Sequence, residues 1–333
     1  MSATAPQTLD RRFSVAPMMD WTDRHCRAFH RVLTRRALLY TEMAVDQAVI
    51  RGDAARLIGF DPAEHPVAIQ LGGADPGELA KASKIARDFG YAEVNLNVGC
   101  PSDRVQSGKF GACLMREPEL VRDCLTAMRE AVDIPVTVKH RLGVDDQDPE
   151  KTLFAFVDTV AQSGVTSFTV HARKAWLKGL SPKENRDVPP LDYELVRRLK
   201  AERPDLEIIL NGGLADLDQA LAQSAGLDGV MLGRAAYHTP WMLAEVDSRV
   251  FGRPDPVADP ADAVFAYRPY VERQLEQGVK LHAITRHMLG LFAGRPGARK
   301  WRQILSENAN RTGAGWTVVE QALAAVAPER VAA

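Results

Sequence analysis

The sequence predicts an α/β protein, a TIM (β/α)8 barrel followed by a small all-α C-terminal domain. Three observations lead there. Eight short strand-like runs are separated by enough chain for crossover helices, the carboxyl ends of those runs are polar or glycine-rich, and the last part of the chain carries apolar residues only at helical spacing.

The strand-like runs are Phe13 to Ala16, Ala37 to Met43, Val67 to Leu71, Glu93 to Val98, Pro135 to Lys139, Ser167 to His171, Glu207 to Leu210 and Gly229 to Leu232. Crossover helices are expected at Asp75 to Phe89, Pro118 to Ala131, Lys151 to Ser163, Tyr193 to Glu202 and Leu217 to Ala225. Strand and helix in alternation mean parallel pairing. Eight such units within about 240 residues match a barrel, where a doubly wound sheet more often stops at five or six strands. Residues 1 to 250 are therefore assigned to the barrel. The segment 251 to 260, FGRPDPVADP, with its prolines and glycine, reads as a linker. Stretches 261 to 277, 279 to 293, 297 to 309 and 316 to 326 read as helices of a domain spanning 261 to 333, with Ile284, Met288, Leu291 and Phe292 on one stripe.

Bulk properties limit the function classes. A chain of 333 residues with 46% hydrophobic content can bury a sizeable core. Met1 to Asp10 has no apolar leader and no run reaches a membrane span, so a soluble cytoplasmic protein is expected. Cys26, Cys100, Cys113 and Cys124 form no CxxC pair and show no close histidine partner, which suggests neither a metal site nor a disulfide framework. The net charge of −1 argues against a generally basic coating, yet residues 279 to 311 hold Lys280, Arg286, Arg295, Arg299, Lys300, Arg302 and Arg311 against the single acid Glu307. One end of the chain has a basic face.

In such barrels the carboxyl ends of the strands build the active site. They present, in order, Pro17, Met18, Met19 and Asp20; Glu42 and Met43; Gln70, Gly72 and Gly73; Asn95, Asn97 and Cys100; Lys139 and Arg141; His171 and Arg173; Asn211, Gly212 and Gly213; and Gly233 with Arg234. Asn211, Gly212, Gly213, Gly233 and Arg234 suit a phosphate cradle on strands seven and eight, although paired glycines also make tight turns. Gln70 offers a donor and an acceptor to a planar heterocycle, and Lys139 places a cation where a reduced flavin gathers negative charge. Met18 and Met19 could pack on such a ring or simply fill core. Taken alone, Lys139 would serve a Schiff-base aldolase equally well, and His171 a packed core.

Longer motifs identify a family. FSVAPMMDWTDR at 13 to 24, LYTEM at 39 to 43, VAIQLGG at 67 to 73, NLNVGCPSDRVQSGKFGACLM at 95 to 115 and HARKAWLKGLSPKENRDVPPLDY at 171 to 193 resemble the tRNA-dihydrouridine synthases. With HAITRHMLGLF at 282 to 292 and GARKWRQILSENA at 297 to 309, the chain is similar to their A-type bacterial branch.

The resemblance implies an oxidoreductase with bound FMN, a helical tRNA-binding domain, and reduction of D-loop uridines 20 and 20a to dihydrouridine with NADPH. It implies FMN contacts at Pro17, Met18, Met19, Gln70, Lys139, His171, Asn211, Gly212, Gly213, Gly233 and Arg234, and Cys100 as proton donor. Chemistry agrees: a thiol with an ordinary pKa of about 8.5 is protonated yet ready to donate near neutrality. Cys26, Cys113 and Cys124 are expected to be packing. Asn97 is expected at the uracil edge, and Lys183, Arg186, Arg299 and Arg302 at the tRNA backbone, since a base inside folded RNA must be extruded and the backbone held. Arg299 and Arg302, three apart, share a helix face. Met19 and His140 depart from the family pattern, and alternation turns His140 away from the site. No metal is expected, and a monomer is. NADPH leaves no motif of its own and rests on the resemblance.

Other classes remain to be weighed. A flavin barrel acting on a free pyrimidine would need no basic helical tail. A phosphosugar aldolase would be colourless, and a non-catalytic RNA-binding protein would bind no FMN.

Overall fold

A computed structural model of the chain describes residues 9 to 331. Of the segment Met1 to Asp10, expected to hold no apolar leader, only Leu9 and Asp10 lie among the described residues, and the end of the expected tail domain, 332 to 333, also lies outside them.

Strands β1 (Phe13–Val15), β2 (Leu38–Val45), β3 (Val67–Gly72), β4 (Glu93–Val98), β5 (Val136–Arg141), β6 (Ser167–His171), β7 (Glu207–Asn211) and β8 (Gly229–Leu232) close into a barrel in sequence order. Every neighbouring pair is parallel, β1 with β8 included. The expected fold class is the observed one. Crossover helices start where aspartates cap them: Asp75 before Pro76–Asp88, Asp148 before Pro149–Ala161, Asp192 before Tyr193–Glu202 and Asp216 before Leu217–Gln223. Each carboxylate accepts a first-turn N–H that the helix itself leaves unpaired. The cap at Asp148, with Pro149 behind it, is why that helix begins before the expected Lys151.

The strands have two chemically different faces. Along β4, Val94, Leu96 and Val98 are fully buried. Glu93, Asn95 and Asn97 alternate with them and bond side chains of β2, β3 and β5 across the barrel interior. The floor of the barrel combines an apolar layer of Ala16, Leu38, Tyr40, Ala68, Ile209 and Met231 with a buried ion pair, Arg11 Nε to Glu93 Oε2 at 2.6 Å. Between Tyr40 and Met43 the β2 to β3 register shifts. There the Gln70 backbone N–H donates to the Thr41 hydroxyl at 3.1 Å, so the bulge re-aims the chain beside the third strand end without orphaning a donor.

The chain divides into two compact units. The first holds Leu38–Phe60, His65–Gly233 and the chain up to Met19; the second holds Asp20–Ala37, Asp61–Glu64 and the chain from Arg234 on. Helix Arg24–Leu33 thus groups with the C-terminal helices. Within that unit Arg27 Nε donates to Glu64 Oε2 at 2.7 Å, and Asp23 accepts from His287 and Arg286. Helices Pro260–Glu276, Ala298–Asn308 and Trp316–Ala324 follow the expected stretches. The stretch 279 to 293 is broken instead into helix Leu281–Thr285 and a single turn, Arg286–Met288. At Gly290, just beyond that turn, a Cβ would lie 2.1 Å from the His238 carbonyl oxygen, so the two backbones approach at a distance that only glycine allows. At the expected linker, helix Val246–Phe251 ends on Gly252 in the left-handed conformation and Asp259 caps the helix that follows. Among the described residues no helix is long and apolar enough to cross a membrane.

Candidate active site

Cys100 stands just past the end of β4, where five hydrogen bonds fix its loop. Its backbone N–H donates to Asn97 Oδ1 at 2.9 Å, and its carbonyl accepts from Ala112 N–H at 2.8 Å. Arg141 Nε donates to the Gly99 carbonyl at 2.8 Å, and the Gln106 amide donates to the carbonyls of Pro101 at 2.7 Å and Leu177 at 2.8 Å. The thiol is part-exposed, with Ser102 Oγ at 3.5 Å. Gly111, at φ 76°, lets the loop return under Cys100: a Cβ there would meet the Cys100 carbonyl oxygen at 2.6 Å. The end of β3 is glycine for a similar reason, since a Cβ on Gly72 would meet the Phe110 ring at 2.7 Å.

Asn97 and Gln70, expected to face a substrate and a cofactor, first face each other. Asn97 Nδ2 donates to Gln70 Oε1 at 2.7 Å, and Gln70 Nε2 donates to Asn95 Oδ1 at 2.8 Å. Each Gln70 amide atom keeps one further bonding position for a ligand edge.

Lys139 and His171 lie on adjacent strands. Burial, reinforced by the Arg141 cation, lowers the Lys139 ammonium to about 7. Its side chain keeps some exposure towards the barrel mouth even so. Burial also drives His171 well below its ordinary range, with the Arg141, Lys139, Arg173 and Arg186 cations adding to the effect. His171 is therefore a neutral imidazole among cations, and this corner of the barrel favours an anionic ligand.

Gly212, at φ 112°, packs over that imidazole: a Cβ would come within 2.6 Å of His171 Cδ2. Gly213, at φ 69°, leaves no room beside Leu191, while the Tyr193 hydroxyl donates to the Gly212 carbonyl at 2.6 Å and Asn211 Nδ2 to the Met231 carbonyl at 2.7 Å. Pro17 and Met18 are half-buried at the end of β1, and Met19 is 51% exposed. Gly233 differs from the other two glycines, because a Cβ there would meet Met18 Sδ at an ordinary 3.6 Å. Arg234 opens the short helix Arg234–His238 of the second unit.

Lys183 is exposed and Arg186 half-buried in the loop after β6, where Lys183 precedes the turn Glu184–Arg186 and Arg186 ends it. Arg299 and Arg302 are exposed on helix Ala298–Asn308 of the second unit, whose buried side is Trp301 and Leu305.

Residues without a sequence-based role turn out to organise the rim. Asn185 is fully buried and bonds the backbone of Trp176, Leu180 and Ser181. Arg141 joins two loops by donating to Gly99, Lys174 and Asn185 carbonyls, and burial lowers its guanidinium to about 10. Lys174 ties the same loop to Asp145 and Gln147. Arg141 and Lys174 carried one advance signal, a position at or just beyond a strand end, whereas Asn185, deep in the loop after β6, carried none.

His140 does turn away from the site, its ring 5.0 Å from that of Phe156 on a crossover helix. The cysteines need one correction: Cys26 has a histidine partner, His30 one helical turn on, with Sγ 3.6 Å from Nε2. Both are buried, and the i, i+4 spacing that brings them together is ordinary helix geometry. Cys113 bonds the Phe110 carbonyl, and burial pushes the Cys124 thiol up to about 12. Among the described residues, no group of three or more His, Cys, Asp or Glu side chains is placed to hold a metal ion.

The chain matches the family model described as dihydrouridine synthase over residues 14–327. It is similar to the tRNA-dihydrouridine(20/20a) synthase of Xanthomonas campestris, 60% identical over 311 residues that cover 93% of this chain and 92% of that one. The relative of the same name from Yersinia pestis is 58% identical, covering 98% and 94%, and that from Escherichia coli 57%, covering 96% and 92%. Among solved structures, morphinone reductase superposes with a TM-score of 0.51 at 14% identity, covering 76% of this chain and 88% of that one. An old yellow enzyme homologue from Zymomonas mobilis gives 0.53 at 12%, covering 72% and 89%. These two likenesses concern the fold. The family match and the close relatives go further, and the chain belongs to the dihydrouridine synthase family.

Proposed function

We propose that this chain reduces the C5–C6 double bond of uridine in the tRNA D-loop, at positions 20 and 20a, to 5,6-dihydrouridine, with FMN resident at the barrel mouth, NADPH as reductant and Cys100 as proton donor. Family membership and the relatives' printed activity support the reaction and the substrate. The single observation that carries the site assignment is Cys100 held at the rim by Asn97, whose own amide is bonded to Gln70.

The residues present fit FMN. Gly212 packs its backbone directly over the His171 imidazole with no room for a Cβ, Lys139 offers a cation, and Gln70 keeps one donor and one acceptor position. Asn211, Gly212, Gly213, Gly233 and Arg234 would hold the phosphate end, with His171 beneath. Pro17, Met18, Met19, Gln70 and Lys139 would hold the ring. Reduced FMN bound there supplies a hydride to uracil C6.

The chain's own residues do the rest. Asn97 keeps the loop in register so that the Cys100 thiol can deliver its proton to C5, and the thiolate left behind is reprotonated by solvent. Lys139 would offer its cation to the negative charge that gathers on a reduced ring. Lys183, Arg186, Arg299 and Arg302 would bind phosphates of the extruded strand, a demand that only a polynucleotide substrate makes. The same reading takes the protein as a cytoplasmic monomer that works without a metal.

The test is to map dihydrouridine in tRNA from a deletion strain with and without this protein. Restoration at positions 20 and 20a is expected. Activity on free uridine with no change in tRNA would overturn the proposal in favour of a free-pyrimidine reductase.

A further inference from the structure

We infer that Glu93, on the barrel floor, is a positioning residue for the site at the mouth: acting through Thr137, Asn95, Gln70 and Asn97, it fixes which way round the Gln70 amide faces the cofactor and steadies the Cys100 backbone. The connection is an unbroken line of hydrogen bonds. The Thr137 hydroxyl donates to Glu93 Oε1 at 2.7 Å, Asn95 Nδ2 to Thr137 Oγ1 at 2.8 Å, Gln70 Nε2 to Asn95 Oδ1 at 2.8 Å and Asn97 Nδ2 to Gln70 Oε1 at 2.7 Å. Asn97 Oδ1 then accepts the backbone N–H groups of Gly99 at 3.1 Å and Cys100 at 2.9 Å.

The ends of this line dictate its direction. A carboxylate only accepts, so Thr137 must give its proton to Glu93 and take one from Asn95. A backbone N–H only donates, so Asn97 must turn its oxygen to Cys100 and its NH2 to Gln70. Both ends demand the same polarity. No amide between them can flip without setting donor against donor or acceptor against acceptor. All five side chains are buried, the most exposed being Asn97 at 8%, so water does not stand in for a missing partner. The Arg11 guanidinium at 2.6 Å and the Tyr40 hydroxyl at 2.5 Å anchor Glu93 at the base.

This inference rests on the flavin reading of the barrel mouth, and the experiment separates the two. Thr137→Val removes the relay hydroxyl and keeps the shape, Thr137→Ser keeps the hydroxyl, and Val160→Ala, at a fully buried position of the crossover helix Pro149–Ala161, loosens the packing outside the relay. The measurements are the FMN dissociation constant of apoprotein, the melting temperature, and the rate of dihydrouridine formation at saturating tRNA.

Thr137→Val is expected to weaken FMN binding about tenfold and to slow the reaction by about as much, with Ser within about twofold of wild type. Val160→Ala should lower the melting temperature as Thr137→Val does, yet leave FMN affinity and rate unchanged. Thr137→Val and Thr137→Ser behaving alike, or Val160→Ala reproducing the FMN effect of Thr137→Val, would overturn the relay. Should Thr137→Val not fold, Thr137→Cys, a weak hydrogen bonder of similar size, is expected to shift FMN affinity in the same direction by less, and an unchanged affinity overturns the inference. A wild-type protein that binds no FMN would overturn the flavin reading itself.

Discussion

The barrel and the helical unit solve opposite problems. Apart from its apolar floor layer, the barrel turns Glu93, Asn95, Asn97, Gln70 and Thr137 inward, while Val94, Leu96 and Val98 of the fourth strand alternate to the other face. The helical unit does the reverse, burying Trp301, Phe292 and Tyr267 while Arg299 and Arg302 stay exposed. A polar interior can orient a ligand but contributes little to the fold, which here depends on the apolar outer face of the strands. An aromatic interior holds a small helical unit together and leaves its surface to do the binding. Substitutions inside the barrel should therefore damage chemistry more than folding, and substitutions inside the helical unit should do the opposite.

The largest effect that would break this contrast is at Cys100. Cys100→Ala is expected to lower dihydrouridine formation by about 100-fold or more while FMN and tRNA binding persist, as read by mass spectrometry of tRNA and flavin absorbance. Normal dihydrouridine in cells relying on that mutant would remove Cys100 as the acid.

Trp301→Ala tests the other half. Its ring is fully buried, lies 4.9 Å from that of Phe292, and its Nε1 donates to the Met288 carbonyl at 3.1 Å. A loss of about 3–5 kcal/mol in denaturant unfolding is expected, and a loss below about 1 kcal/mol would show that the aromatic core is not what holds the unit.

Lys139 probes the barrel's polar interior through pH. Its pKa falls from the ordinary 10.5 to about 7 in the ligand-free fold, so between those values the unfolded chain binds the extra proton and folding stability rises with pH. Lys139→Met should then be more stable than wild type by about 2 kcal/mol at neutral pH, the advantage shrinking as pH approaches 10. A pH-independent difference would mean that the ammonium is well solvated.

The smallest effect is on the exposed face of the helical unit. Arg299→Ala with Arg302→Ala should weaken tRNA binding by about tenfold and make its salt dependence shallower, with melting temperature unchanged. Equal affinity across a salt series would reject this surface as a tRNA contact.

Much of the fold was legible because strand periodicity is local. Val94, Leu96 and Val98 alternating with Glu93, Asn95 and Asn97 announce a two-faced strand, and observed β4 spans the same residues. Candidate site residues could be proposed for the same reason, since a polar group at a strand end stands out against an apolar run. Arg141, Asn185 and Gln106 were not, because each acts on backbone carbonyls of loops far along the chain, and nothing in a neighbouring residue marks that. The helix Arg24–Leu33 likewise gave no sign that it would join the C-terminal helices: Asp23 and His287 are 264 residues apart.

The sequence by itself determined the eight-stranded barrel, the helical tail with its basic face, and the strand ends where chemistry belongs, because hydrophobic period, capping residues and local charge are properties of short segments. Only the tertiary structure decided which inward side chains meet, since that depends on strand register and on the bulge between Tyr40 and Met43. Hydrogen-bond polarity is then settled by the whole line at once, from Glu93 on the floor to Cys100 at the rim, and no single residue along it carries that information.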